Sequence, residues 1–398
     1  MRLEKSWRWF GEKDPVSLQG IRQMGVTGVV TSLYHVPAGA AWDANEINDL
    51  KNRIASHGLK WNVVESLPVE EGIKTHSKEY DRLIENYIGS LKALSENGIY
   101  TICYNFMPVL DWARTDLSYR LPNGGTSMKF DYAVFAAFDL FILQRPNAEK
   151  DYDQKTLLSA EEVIQKLSKK QQNELAFNII VATQSFIHGS VSDPNNFCGQ
   201  FLQLLERYSD INEDQLRLNL KCFLDDILPY AEKYGVKMAI HPDDPPFSLL
   251  GLPRIASTSD DFEWIFEANK SNSNGLTLCS GSLSVGDEDV CEIASRFSEK
   301  IYFAHLRNNE VAGYRVFYES GHLEGRVDMI KLLRILLDEQ ARRSQVGVDY
   351  AIPVRPDHGI AILQDEILGH NPGYPLYGRF RGLMELSGAE RAILELKV

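Results

Sequence analysis

Short apolar runs rich in β-branched residues recur along the chain, and most lead into a stretch whose apolar positions repeat with helical spacing. The runs that read as strands are 25–33, 59–66, 99–106, a weaker 178–182, then 236–241, 275–279, 301–306 and 350–355. Near-continuous apolar strands suit a parallel sheet buried on both faces. Between them, Leu83, Ile84, Tyr87, Ile88, Leu91 and Leu94 mark one face of a helix over 81–96. Leu220, Phe223, Leu224, Ile227 and Leu228 do the same over 216–234. Gly58-Leu59, Gly98-Ile99 and Gly235-Val236 each place a glycine before an apolar residue, the pattern of a helix cap opening onto a strand. Eight β-then-α units predict one (β/α)8 barrel spanning residues 1–398.

About seventy residues separate the third and fourth runs. They include a turn at 121–126 and a helical stretch at 130–143, too little for a core of their own. Residues 111–175 therefore read as an insertion between strands 3 and 4, lying over one barrel end. Residues 185–197 are turn-rich.

Composition narrows the function. Hydrophobic residues make up 44% and charged residues 24%, ordinary for a globular chain. The net charge of −13 opposes a nucleic-acid groove or an anionic membrane surface, both of which need a basic footprint. A small anionic substrate needs only a local positive site. Five cysteines, none in a C-x-x-C pair, do not make a disulfide framework and suit a reducing cytoplasm. The first fifteen residues lack the apolar core of a secretion signal, and no run of eighteen uncharged apolar residues could span a membrane.

Chemistry is expected at the C-terminal ends of the strands. The fifth run ends in His241, the sixth in Cys279, the seventh carries His305, and the eighth leads to Asp357 and His358. His241, Cys279, His305 and Asp357 are all metal-ligand types, spaced 38, 26 and 52 residues apart, about one βα unit each. Any one of them alone has an ordinary packing role. Their placement at four successive strand ends predicts a shared metal site. No G-x-G-x-x-G, no G-x-x-x-x-G-K-[ST] and no G-x-S-x-G is present, which leaves dinucleotide, NTP and nucleophile-elbow chemistry unsupported. Ser280 and Ser282 read as turn residues bonding local backbone.

Longer motifs carry a resemblance. Residues 241–246 (His-Pro-Asp-Asp-Pro-Pro), 275–282, 305–308, 355–359 (Arg-Pro-Asp-His-Gly) and 372–378 resemble bacterial D-mannonate dehydratases, as do 7–11, 104–108 and 111–117. The match keeps its order from the first ten residues to the last thirty. It implies a xylose-isomerase-like TIM barrel that converts D-mannonate to 2-keto-3-deoxy-D-gluconate and water in hexuronate (glucuronate) catabolism, using Mn²⁺ or Fe²⁺. It puts metal ligation on the same four residues, and adds His358 and Tyr374 as the acid–base pair. Two stretches depart from the family pattern: Gly325-Arg-Val-Asp-Met329, and the 182–189 loop, which bears on the pocket rim.

Dehydration removes the C2 proton of the sugar acid and expels the C3 hydroxyl. A base must reach C2 and an acid must reach the leaving oxygen. A divalent cation can offset the charge that develops beside the carboxylate. His358 and Tyr374 are the candidates for the two proton transfers, with neither task assigned to either. Arg8, Asn105, Arg114 and Arg307 are the candidate substrate contacts, Arg307 the best placed. His35 and His322 are further candidates to face the pocket. The alternative enzyme is a metal-dependent sugar isomerase or epimerase on the same barrel, which a thiolate ligand speaks against. A non-catalytic sugar-acid binder is opposed by the missing export signal. The residues leave the oligomeric state open, a homodimer included.

Overall fold

The structure, a computed structural model, describes residues 2–184, 191, 193, 196–348 and 350–396. Its strands are β1 (Glu4–Arg8), β2 (Gly28–Thr31), β3 (Lys60–Glu65), β4 (Thr101–Tyr104), β5 (Asp116–Arg120), β6 (Thr126–Asp131), β7 (Lys237–Ile240), β8 (Asn274–Cys279), β9 (Ile301–Leu306), β10 (Asn308–Gly313), β11 (Val316–Ser320) and β12 (Pro353–Pro356). Eight of them close into a barrel in the order β1-β2-β3-β4-β7-β8-β9-β12. Every neighbouring pair in it is parallel. Amphipathic helices wrap the outside. Tyr80–Glu96 and Glu213–Tyr234 bury the expected apolar faces against one another, with the Tyr87 and Phe223 rings 5.2 Å apart. The second helix ends where predicted, on Gly235 at φ +70°, a conformation that costs any residue with a Cβ.

Seven of the eight apolar runs are barrel strands. The weaker run is not: Asn178–Ala182 is a π-helical turn continuing the helix Lys169–Phe177. The Thr183 hydroxyl closes it by donating to the carbonyls of Asn178 and Ile179. A five-residue apolar run fits a buried helical turn as well as a strand. The eighth place belongs to β1, whose sequence Glu-Lys-Ser-Trp-Arg hides it. Trp7 is fully buried, while Ser6 and Arg8 carry polar groups to buried partners in the barrel: Ser6 accepts from Asn62, and Arg8 pairs with Glu65. With β1 counted first, the long excursion connects the fourth and fifth barrel strands, β4 and β7.

A second sheet, absent from the sequence reading, has the antiparallel order β10-β11-β6-β5. It joins two excursions: β5 and β6 after β4, and the β10–β11 hairpin directly after β9. Their seam pairs Phe130 with Phe317, whose rings stack at 5.4 Å.

Strand alternation sets the site. Val30, Val63, Cys103 and Phe303 form an apolar cluster of their own. Side chains two positions further along a strand point the same way. Those positions are Ser32, Glu65, Asn105 and His305, and all four line one cavity of about 690 Å³. The barrel interior thus changes from apolar to polar toward the C-terminal ends of its strands. Among the described residues, no helix is long and apolar enough to cross a membrane.

Candidate metal centre and active site

His241 and His305 at the floor of this cavity and the buried Cys279 beside them bring ligand atoms within 4.8 Å of one another. His241 Nδ1 lies 2.6 Å from the Pro242 carbonyl, to which it donates, and His305 Nε2 lies 3.2 Å from Glu65 Oε2. The remaining nitrogens, His241 Nε2 and His305 Nδ1, face each other at 3.2 Å. The His241 ring is held through Nδ1 so that Nε2 points inward, as in ligating imidazoles. His305 Nε2 lies beside the Glu65 carboxylate without a hydrogen bond to it, and its Nδ1 faces His241 and, at 3.4 Å, Arg355 Nη2. Asp357 closes a fourth side, with Oδ2 3.8 Å from the Cys279 sulfur and 3.9 Å from His305 Nδ1.

The electrostatics agree. Burial pushes the Cys279 thiol up, but Arg307 and His241 outweigh it and hold the thiol well below its usual range. Burial works against a charged His241, yet the Cys279 thiolate, Glu65 and Asp244 raise its imidazole to about 9. A field that holds a proton there also attracts a cation. One thiolate, two imidazoles and a carboxylate fit a divalent metal ion.

Around these donors runs a buried layer of arginines and carboxylates. Arg355 forks onto Glu65 at 2.8 and 3.0 Å and also bonds Asp357. Arg307 donates to Asp357 at 2.7 Å, to Glu319 at 3.2 Å and to Asp244. Arg114 spans Asp244 at 2.9 Å and Glu319 at 3.0 Å. Burial alone would protonate Asp357, Glu65 and Asp244; the arginines hold all three below the ordinary carboxylate range.

On one wall of the cavity, His358 Nδ1 sits 2.7 Å from Glu319 Oε1. The His358 and Tyr374 rings meet edge to face at 4.9 Å, and Trp112 lies 5.1 Å from the His358 ring. Gly373, at φ +81°, lets the chain turn beside His358; a side chain there would press on that ring. Burial, then Asp357, pushes the Tyr374 hydroxyl up, so it is held as the neutral phenol.

A family model described as D-mannonate dehydratase (UxuA) matches residues 3–398. The chain belongs to the D-mannonate dehydratase family. Mannonate dehydratases of Marinomonas sp. (strain MWYL1) and Chromohalobacter salexigens are 45% and 44% identical to it, over 98% of both chains in the first case and 100% in the second. The crystal structure of mannonate dehydratase from Streptococcus suis serotype 2 superposes with a TM-score of 0.76 at 34% identity, covering 100% of this chain and 95% of that one. A xylose isomerase domain protein from Planctomyces limnophilus, at 9% identity, TM-score 0.50 and coverage of 99% and 100%, shares the barrel fold. As a member of the D-mannonate dehydratase family the chain is a hydro-lyase, metal-dependent, with the sugar acid D-mannonate as substrate.

Within this family site the predicted residues are not equally placed. Arg8, Asn105, Arg307, His358 and Tyr374 line the cavity. Arg114 does not: it is fully buried behind the lining, with its guanidinium on Asp244 and Glu319. Arg307 reaches the cavity but directs its donors into the wall. Arg8 pairs with Glu65 through one nitrogen, and its buried Nε has no hydrogen-bond partner, so it is the arginine with donors to spare for a substrate anion. His35 lies at the rim, paired with Glu46 at 2.9 Å. His322 is buried and outside the lining. The Ser280 hydroxyl bonds the Arg307 and His305 carbonyls, tying β8 to β9 across the strands, not to local backbone. Of the 182–189 rim loop, residues 185–189 lie outside the described residues, as do parts of the 185–197 stretch.

Sequence reasoning missed Glu65, Asp244, Glu319 and Arg355. Glu65 and Arg355 had a signal: each is a charge at the end of an apolar strand, where the barrel turns polar.

Proposed function

We propose that this chain eliminates water from D-mannonate to give 2-keto-3-deoxy-D-gluconate, as a cytoplasmic step of hexuronate catabolism. It uses Mn²⁺ or Fe²⁺ held by His241, Cys279, His305 and Asp357. The observation that carries this reading is the pair of imidazole nitrogens facing each other at 3.2 Å beside a thiolate, beneath a wall bearing His358 and Tyr374. When bound, the metal supplies positive charge beside the substrate carboxylate, where negative charge develops as the C2 proton leaves.

The chain's own residues do the rest. Arg8, with an unspent Nε, pairs with the substrate carboxylate, and Asn105 offers an amide to a hydroxyl. Of His358 and Tyr374, one takes the proton from C2 and the other gives one to the departing C3 hydroxyl. The product enol then returns to the ketone as C3 gains a proton. Both groups stand on one wall with their rings in contact, so a substrate lying across them presents neighbouring carbons to both. The aromatic rings of Phe10 and Trp112 narrow the approach to the reacting carbons and limit water there.

The test is chemical. Protein loaded with Mn²⁺ is incubated with a panel of aldonates, and products are identified by mass spectrometry and by periodate–thiobarbiturate reaction. A 2-keto-3-deoxy product from mannonate is expected. An isomer of unchanged mass, with no loss of water, overturns the reading.

A further inference from the structure

We propose that Glu319 is a positioning residue for His358, held in place by the sheet that joins the two excursions. The proposal rests on the catalytic reading of His358 given above. Glu319 is 1% exposed and does not line the cavity, so it can act on the substrate only through a neighbour. That neighbour is His358, whose Nδ1 lies 2.7 Å from Glu319 Oε1. A carboxylate accepting the Nδ1–H fixes the tautomer and turns the other nitrogen, Nε2, away from it. Trp112 and Tyr374 brace the ring on its remaining sides.

Two cations keep the carboxylate an acceptor. Arg114 Nη2 and Arg307 Nη1 both donate to the same oxygen, at 3.0 and 3.2 Å. A buried carboxylate without such partners takes up a proton and becomes a donor itself, which reverses the hydrogen bond. Arg114 belongs to the excursion after β4, and Arg307 to the end of β9.

The backbone of Glu319 is secured from the same two directions. Its carbonyl accepts a 2.6 Å hydrogen bond from the Ser127 hydroxyl on β6. It stands opposite Asn309 in the β10–β11 register. Two residues earlier, Phe317 stacks on Phe130 of β6. Neither excursion alone supplies these contacts. The 111–175 insertion therefore has a task in this reading: it carries Ser127, Phe130 and Arg114 to the residue that orients His358.

The experiment is a double-mutant cycle on the metal-loaded enzyme, with kcat, KM, metal content and melting temperature measured on the same samples. Glu319→Gln keeps the shape but removes the charge. It is expected to lower kcat about 10- to 100-fold with KM changed by less than about threefold, since orientation acts on the transition state. In the His358→Ala background the same substitution is expected to cost less than about twofold, because the group it orients is gone. Ser127→Ala provides a milder variant should Glu319→Gln fold poorly. Its loss of kcat, about two- to fivefold, is likewise expected to vanish when His358 is alanine. Equal losses in both backgrounds overturn the proposal while leaving His358 catalytic. Full turnover by His358→Ala itself overturns the reading on which the proposal rests, and the proposal with it.

Discussion

Cys279 and His305 stand opposite one another in the β8–β9 register, so their side chains leave adjacent strands at the same height. Arg355 occupies the matching position on β12, on the other side of His305. Neighbouring strands lie about 4.8 Å apart, so paired positions bring two donors to ligand spacing without help from a loop. Two of the four candidate donors are thus set by the barrel's register, and His241 and Asp357 follow one residue beyond β7 and β12.

Removing a donor should therefore remove the ion, not shift it. Cys279→Ala and His305→Ala are expected to lose bound metal while keeping the barrel's circular dichroism. Glu65→Gln acts at one remove, by removing the carboxylate charge that lies 3.2 Å from His305 Nε2. Changes to such supporting groups cost about 10- to 100-fold in metal affinity. Titration against a fluorescent chelator reads all three. A full metal complement in Cys279→Ala would take the thiolate out of the ligand set.

Catalysis should separate from metal binding at His358 and Tyr374. His358→Ala and Tyr374→Phe leave the floor donors untouched, so metal content is expected to stay at the wild-type level. Positioned acid–base groups supply about 10²- to 10⁴-fold in rate, and turnover of D-mannonate should fall by that order in each variant. Unchanged turnover in Tyr374→Phe removes its hydroxyl from the mechanism.

The candidate donors His241, Cys279, His305 and Asp357 were legible because each lies at or just beyond the end of a recognisable apolar run. The residues that tune them were not, for reasons of distance and disguise. β1 carries Ser6 and Arg8 inward, so its apolar pattern is interrupted by the very chemistry it delivers. Glu319 reaches the site on a hairpin whose partner strand, β6, lies nearly two hundred residues earlier in the chain. Nothing local in either strand announces that pairing. Arg114 looked like a substrate contact because a sugar acid needs fixed cationic donors; its two carboxylate partners come from distant parts of the chain, Asp244 after β7 and Glu319 on β11. The run at 178–182 failed in the opposite sense, an apolar pentapeptide serving as the last turn of a helix.

The donor set bears on which metal supports turnover. By the usual affinity order, Zn²⁺ binds a nitrogen–sulfur site more tightly than Mn²⁺ or Fe²⁺. Zn²⁺ is satisfied by about four ligands, which these side chains supply, whereas the larger coordination number of Mn²⁺ or Fe²⁺ leaves room for substrate oxygens. Turnover is expected with Mn²⁺ or Fe²⁺, and inhibition when excess Zn²⁺ is added. Rates measured on apo-protein reconstituted with each metal check this, and Zn²⁺-loaded enzyme as active as the Mn²⁺ form would refute it.

His322 makes acid stability a measurable property of one side chain. It is 2% exposed, and its Nε2 has no hydrogen-bond partner. It packs against Gly382 of the helix Leu376–Leu396, where a Cβ would collide with the ring. Burial, aided by Arg379 and Arg381 and opposed by Asp357 and Glu319, lowers its imidazole to about 4. In the unfolded chain a histidine titrates near 6.5, so between those values the unfolded state binds a proton that the folded state refuses. Stability from this residue is complete above about pH 6.5 and is lost as the pH falls toward 4. At about 1.4 kcal/mol per pH unit, the loss across that window approaches about 3 kcal/mol. Replacing the imidazole by a group that does not titrate, as in His322→Gln, shifts stability by a pH-independent packing term and removes this slope. Urea midpoints of wild type and variant at pH 7.5, 5.5 and 4.5 should therefore converge toward acid. Other buried carboxylates, Asp244 among them, weaken both proteins alike and cancel in the difference. A gap between the two proteins that stays constant from pH 7.5 to 4.5 would mean that His322 takes up its proton in the fold as readily as in the unfolded chain, and would refute the lowered value.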